Sequence, residues 1–191
     1  LSIACETGEG LVRLEEAMRS HLPRHVGARM RRRAILEERV PAIRDAIARA
    51  AAPSTPMSKA FVSKCLSDAI TGKEATVLSE LGCPLDPLVL TRHNSWHQEP
   101  HSGGLGWSFP CALGMQLADR RKLVVATMGD GSYMFANPVA CHQIAEALEL
   151  PVLVVILNNS EWAAVRHSVT GLYPDGYAAK ANRMPLTSLQ P

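Results

Sequence analysis

Two uninterrupted apolar runs constrain this chain most: Leu123-Val124-Val125-Ala126-Thr127-Met128 and Val152-Leu153-Val154-Val155-Ile156-Leu157. Neither alternates polar with apolar residues, so a strand formed by either must have both faces covered. Between them, Asn137-Pro138 reads as a helix start, with Asn as N-cap and Pro at the first helical position. Ala140, Ile144, Ala147 and Leu148 then line one face of that helix, and Pro151 stops it. A buried strand, a helix and a second buried strand make a β-α-β unit. The expected fold is therefore α/β, a parallel sheet with helices on both faces.

The 191 residues suit one substantial α/β domain, or one domain with an appendage. Residues 9 to 52 are rich in Ala, Arg, Glu and Leu, with Pro23 and Pro41 as interruptions, and Leu36, Val40, Ile43 and Ile47 recur at helical spacing. Ala52-Pro53-Ser54-Thr55-Pro56 marks a boundary, dividing a helical linker at 1–52 from the main domain at 53–191. Ser58 is placed to cap a helix carrying Phe61, Val62, Cys65, Leu66 and Ile70, which Gly72 ends; Ala75-Thr76-Val77-Leu78 follows as a short buried strand. Cys83 to Gly104 reads as a loop with a short helical turn, and Phe109 to Leu117 as a compact apolar segment.

Ten of the twenty Lys and Arg precede Pro53, clustered at Arg29, Arg31, Arg32 and Arg33, but Glu37, Glu38 and Asp45 interleave with the basic residues. That pattern is a solvated helix face, not a nucleic-acid surface. Cys5, Cys65, Cys83, Cys111 and Cys141 are odd in number and widely spaced, as expected of reduced, mostly buried thiols in a cytoplasmic protein. No apolar run approaches the ~18 to 20 residues that span a bilayer. Both ends read as cut, and nothing at the start resembles a signal peptide.

The first strand runs into Gly129-Asp130-Gly131 and the second into Asn158-Asn159. A β-α-β crossover puts both strand ends on the same edge of the sheet, where doubly wound folds bind ligands. If the two strands are neighbours, about 4.8 Å apart, Asp130 and Asn159 can reach one cation. A carboxylate with a carboxamide oxygen is a magnesium set, not a zinc set. The glycines beside Asp130 admit a close anion, and the amides of Gly131 and Ser132 favour phosphate oxygens.

This combination of elements resembles the thiamine-diphosphate enzymes of the acetolactate synthase, pyruvate decarboxylase and benzoylformate decarboxylase superfamily, over roughly Pro56 to Met184. The segment Gly103-Gly104-Leu105-Gly106-Trp107-Ser108-Phe109-Pro110 is similar to the family's Gly-Gly-Leu-Gly stretch. The resemblance implies a cofactor-diphosphate-binding domain holding thiamine diphosphate and Mg2+. It assigns magnesium to the side chains of Asp130 and Asn159 and to the backbone carbonyl of Glu161. Gly131, Ser132 and Trp162 would meet the diphosphate, which the Ser79-Glu80-Leu81-Gly82 loop also approaches. The Gly103 carbonyl would accept from the pyrimidine amino group, and Leu105 would bend the cofactor. Ala164 and Val165 would line the substrate cavity.

The resemblance further implies a 2-oxo acid as substrate and either decarboxylation or carboligation as outcome. Pro110 soon after the glycines is nearer to benzoylformate decarboxylase. The stretch Ser160 to His167 lacks the Met- and Trp-bearing continuation of acetolactate synthases. In such enzymes the essential glutamate lies on a pyrimidine-binding domain supplied by a partner subunit, within a homodimer or homotetramer. Nothing in this chain matches that domain. The first fifty residues resemble the tail of a central domain and its linker, and the resemblance implies that the last part of the binding domain is absent. The polypeptide alone is therefore expected to be inactive. A non-catalytic cofactor-binding homologue and an unrelated nucleotide-binding module are the alternatives.

Three other constellations carry less. His93, His97 and His101 are spaced by four, which on a helix would align zinc ligands, but Asn94, Ser95 and Pro100 argue against a helix. Loop packing or a wall of the site entrance suits them better, with His101 a possible proton carrier. Cys141 and His142 are adjacent on a helix, so their side chains diverge. Glu161 is expected to turn its own carboxylate to solvent.

Overall fold

The computed structural model describes residues 7–21 and 26–181, with side chains from residue 12 onward. The chain divides into two compact units, Leu1–Ala46 and Ile47–Pro191. The first holds helix α1 (Thr7–His21) and most of α2 (Val26–Ala50). Pro41 does not interrupt α2, contrary to the expectation above, and Pro23 lies outside the described residues. The interleaved charges are exposed, and Arg33 pairs with Glu37 at 2.7 Å. No α2 residue is buried, and Leu36 and Ile43 are exposed.

The second unit is built on a four-stranded sheet ordered β2-β1-β3-β4, all parallel. Its strands are β1 (Ala75–Glu80), β2 (Trp96–Gln98), β3 (Leu123–Gly129) and β4 (Leu153–Leu157). Helix α3 (Lys59–Ile70) precedes β1, α4 (Ser108–Ala118) connects β2 to β3, and α5 (Asp130–Phe135) and α6 (Pro138–Ala147) connect β3 to β4. Helices α7 (Ala163–Leu172) and α8 (Tyr177–Ala181) follow. Ser58 caps α3 as expected, its hydroxyl accepting from the Phe61 amide at 3.0 Å.

Side chains on alternate faces of β1 and β3 feed two cores. Leu78, Val124, Ala126 and Met128 pack with Phe109, Leu113, Cys141 and Leu150 on one face. Val77 and Val125 pack with Leu66, Ile70, Cys83 and Leu88 on the other. This is the two-sided burial that the apolar runs require, although β4, at the sheet edge, is only half-buried. Burial holds the thiols of Cys83, Cys111 and Cys141 above the ordinary value of 9.0; at Cys83, hydrogen bonds with Ser63 and Thr127 pull the other way. Cys65 departs from the expectation of buried thiols, because it sits on the solvent side of α3, and Cys5 lies outside the described residues.

Four local expectations need correction. Helix α6 starts at Pro138 as read, but Asn137 has φ 55° and no side-chain cap bond. The inward face of α6 is Cys141 and Ala145; Ile144 and Leu148 are exposed, so the apolar stripe is turned from the one inferred. Strand β2 lies inside the stretch read as loop, and α5 begins within Gly129-Asp130-Gly131 itself.

Candidate cofactor-diphosphate site

In the order β2-β1-β3-β4 the chain leaves β1 in one direction and returns to its other side, so the switch point lies between β1 and β3. Ligand crevices in open parallel sheets form there, beyond the carboxyl ends of the strands. Strands β3 and β4 are direct neighbours, with Met128 opposite Ile156 and Gly129 opposite Leu157. Asp130 and Asn158-Asn159 therefore emerge side by side, as the condition set by the sequence required.

A cavity of about 800 Å³ opens at this edge. Leu105, Asp130, Gly131, Ser132, Asn159, Glu161, Trp162, Ala164 and Val165 all line it, so nearly every residue assigned to the site meets there. Gly103 and His101 do not line it; both are exposed in the turn closed by the Gly103 amide on the Pro100 carbonyl at 2.9 Å.

Asp130 is 5% exposed, and its Oδ2 is buried with no hydrogen-bond partner. A buried carboxylate oxygen left unpaired is costly, and here it belongs to a residue that lines the cavity. The Asn159 carboxamide oxygen accepts from the Glu161 amide at 3.1 Å, and Asn158 Oδ1 accepts from the Ser160 amide at 2.8 Å. These turns, with Ser160 at φ 58°, fold 158–161 into a tight corner. A second lone pair on Asn159 Oδ1 and the Glu161 carbonyl supply further neutral oxygens. One carboxylate among neutral oxygens fits a hard divalent cation such as magnesium.

Trp162 covers Gly131 closely: a β-carbon added there would lie 2.8 Å from its ring. The Glu161 carboxylate does not turn to solvent as expected; it accepts from Arg166 at 2.7 Å. Its half-buried position beside the first turn of α7 explains the difference.

Among the described residues no three His, Cys, Asp or Glu side chains converge on a metal site, so His93, His97 and His101 do not form one. His97 lies on β2 and its Nε2 is buried without a partner, as is Glu99 Oε2. His142 meets the Tyr133 hydroxyl at 2.9 Å, while the Cys141 thiol donates to the Ala136 carbonyl at 3.3 Å; the two side chains diverge.

Near the edge Lys59 escaped the sequence reading, and Ser79 and Glu80, read as part of a loop approaching the diphosphate, instead end strand β1. Lys59, in the first turn of α3, lines the cavity and donates to the Leu81 carbonyl. Glu80 is fully buried. Neither sits in a recognisable spacing, because each acts through a backbone group more than twenty residues away.

The profile described as thiamine pyrophosphate enzyme, C-terminal TPP binding domain, matches residues 86–189. Benzoylformate decarboxylase of Pseudomonas aeruginosa is 36% identical over 67 residues, 35% of this chain and 12% of that protein. The acetolactate synthase large subunit of Porphyra purpurea is 31% identical over 90 residues, covering 47% and 15%. The mitochondrial acetolactate synthase catalytic subunit of Saccharomyces cerevisiae is 30% identical over 135 residues, covering 66% and 18%. The chain thus spans less than a fifth of these relatives. The structure of the thiamine diphosphate-dependent 4-hydroxybenzoylformate decarboxylase of Rhodococcus jostii RHA1 superposes with a TM-score of 0.55 at 22% identity, covering 71% of this chain and 24% of that one, which shows a shared fold. With more than half its length matched by the family profile, this chain belongs to the thiamine pyrophosphate enzymes, as their C-terminal TPP binding domain.

Proposed function

We propose that this chain holds the diphosphate end of thiamine diphosphate, with one magnesium ion, for a parent enzyme that decarboxylates or ligates 2-oxo acids. Asp130, which lines the cavity and whose buried Oδ2 has no hydrogen-bond partner, carries this reading. Asp130, Asn159 and the Glu161 carbonyl would hold the ion. Gly131, Ser132 and Trp162 would receive the diphosphate, and Leu105 would face the bend between the two rings. When bound, the cofactor supplies an electron sink for the carbon–carbon bond being broken or made.

The chain's own groups orient and shield. Trp162 closes Gly131 from water, and Ala164 and Val165 offer small apolar contacts to a substrate in the same cavity. The carboxylates lining the cavity are committed, Asp130 to the ion and Glu161 to Arg166. Proton transfer at the cofactor ring would fall to a glutamate on a partner subunit's pyrimidine-binding domain. By this reading the chain does not turn over alone.

Calorimetry tests the binding half. Thiamine diphosphate should bind only with Mg2+, and Asp130→Ala should weaken it by a hundredfold or more, about 3 kcal/mol for an uncompensated metal ligand. Binding of ATP or NAD in its place, or indifference to Asp130→Ala, would overturn the reading. Measured decarboxylation of 2-oxo acids by the purified chain would overturn the claim of inactivity.

A further inference from the structure

Glu80 is the last residue of β1 and its side chain is 1% exposed. A buried carboxylate is usually balanced by a cation, yet the ion pairs among the described residues all lie elsewhere. Its oxygens are used on backbone. Oε1 accepts from the Gly106 amide at 2.6 Å and Oε2 from the Ser108 amide at 2.7 Å. Both are short, as bonds to an ionised acceptor are, and one carboxylate thus spans two amides just beyond Leu105.

Gly106 is held from the other side as well. Its φ is 82°, and a β-carbon there would lie 2.8 Å from the Ala136 nitrogen and the Phe135 carbonyl carbon. The segment is therefore clamped between the end of β1 and the end of α5. Upstream, Gly103 and Gly104 are exposed, with open space at their Cα positions. Leu105 stands at the junction between this free stretch and the clamped one, half-buried in the cavity wall.

We infer that Glu80 is a positioning residue: through the amides of Gly106 and Ser108 it sets how far Leu105 projects into the cavity, and so shapes the half of the site that takes the ring end of the cofactor. This rests on the cofactor reading proposed above. It assigns Glu80 to the ring half and not to the diphosphate, although Leu81 beside it lines the cavity. The chemistry demands a carboxylate. Glutamine has one acceptor oxygen and one NH2 donor, and the donor would confront a backbone N–H.

The test uses the full chain, with thiamine diphosphate and inorganic diphosphate as separate probes, both with Mg2+. In Glu80→Gln the amides of Gly106 and Ser108 should exchange with solvent at least tenfold faster, while those of β3 stay protected. Affinity for thiamine diphosphate should fall about tenfold with that for inorganic diphosphate unchanged, the loss of one charge-assisted hydrogen bond. Parallel losses for both probes would mean a merely structural role, and unchanged affinities no role; either overturns the inference. If the unsubstituted chain binds inorganic diphosphate but gains nothing from the thiamine part, the cofactor reading falls with it. Should Glu80→Gln fail to fold, Glu80→Asp keeps both oxygens on a shorter reach and must show the same selective loss, smaller in size.

Discussion

Gly82 and Gly131 both exclude a side chain, but different neighbours do the excluding. At Gly82 a β-carbon would lie 2.4 Å from the Thr127 carbonyl carbon and 2.5 Å from its oxygen; at Gly131 it would meet the Trp162 ring at 2.8 Å. Backbone of a central strand cannot yield, whereas an indole can rotate away. Gly82→Ala should therefore cost about 3 kcal/mol of stability and Gly131→Ala about 1 kcal/mol, with the second also changing tryptophan fluorescence. Urea unfolding of both variants decides the matter, and equal losses would contradict the distinction. Gly131 was legible in the sequence because it sits inside Gly129-Asp130-Gly131 after an apolar run. The constraint on Gly82, named only as part of the 79–82 loop, was not, because it comes from a strand 45 positions on, against which only the β1–β3 register places it. Glu80 was read only as part of the 79–82 loop, and its role was hidden for the same reason, its partners being 26 and 28 positions away.

Strands β1 and β3 are joined by more than their ladder. The Thr127 hydroxyl donates to the Leu78 carbonyl at 3.2 Å and accepts from the Cys83 amide at 3.1 Å, tying the turn after β1 to the centre of β3. Thr127→Val would leave the Cys83 N–H buried without an acceptor, at a cost of about 1–3 kcal/mol, whereas Thr127→Ser should retain most of the stability. Thermal denaturation of the pair checks this, together with faster exchange of the Cys83 amide in the valine variant; equal stability of the two would refute it. At this scale the long apolar strands and the capped helix α3 were readable from pattern. Strand β2 was not, since Trp96-His97-Gln98 is three residues without alternation, given strand geometry by pairing with Val77, Leu78 and Ser79. The turned face of α6 has a similar cause: small Cys141 and Ala145 face α4 because bulky Phe109 and Leu113 already fill the space.

For the whole molecule, the sequence specified where the strands end and so which edge carries the site, while the depth of each side chain in the cavity came from packing it could not express. Gly103 and His101 illustrate this, assigned near the cofactor yet exposed and outside the cavity lining. The parallel sheet also has a consequence in time. Among the described residues no strand pairs with its neighbour through a hairpin; each pairing spans a crossover, so loops must close before the contacts that reward closure exist. Helices α3, α4 and α6 are local and can form early, but Leu105, Asp130 and Trp162 converge only when every crossover is complete. On refolding from urea, far-UV ellipticity should recover ahead of the capacity to bind thiamine diphosphate, and simultaneous recovery would refute that order. A nascent chain would thus be helical for some while before it has anywhere to put its ligand.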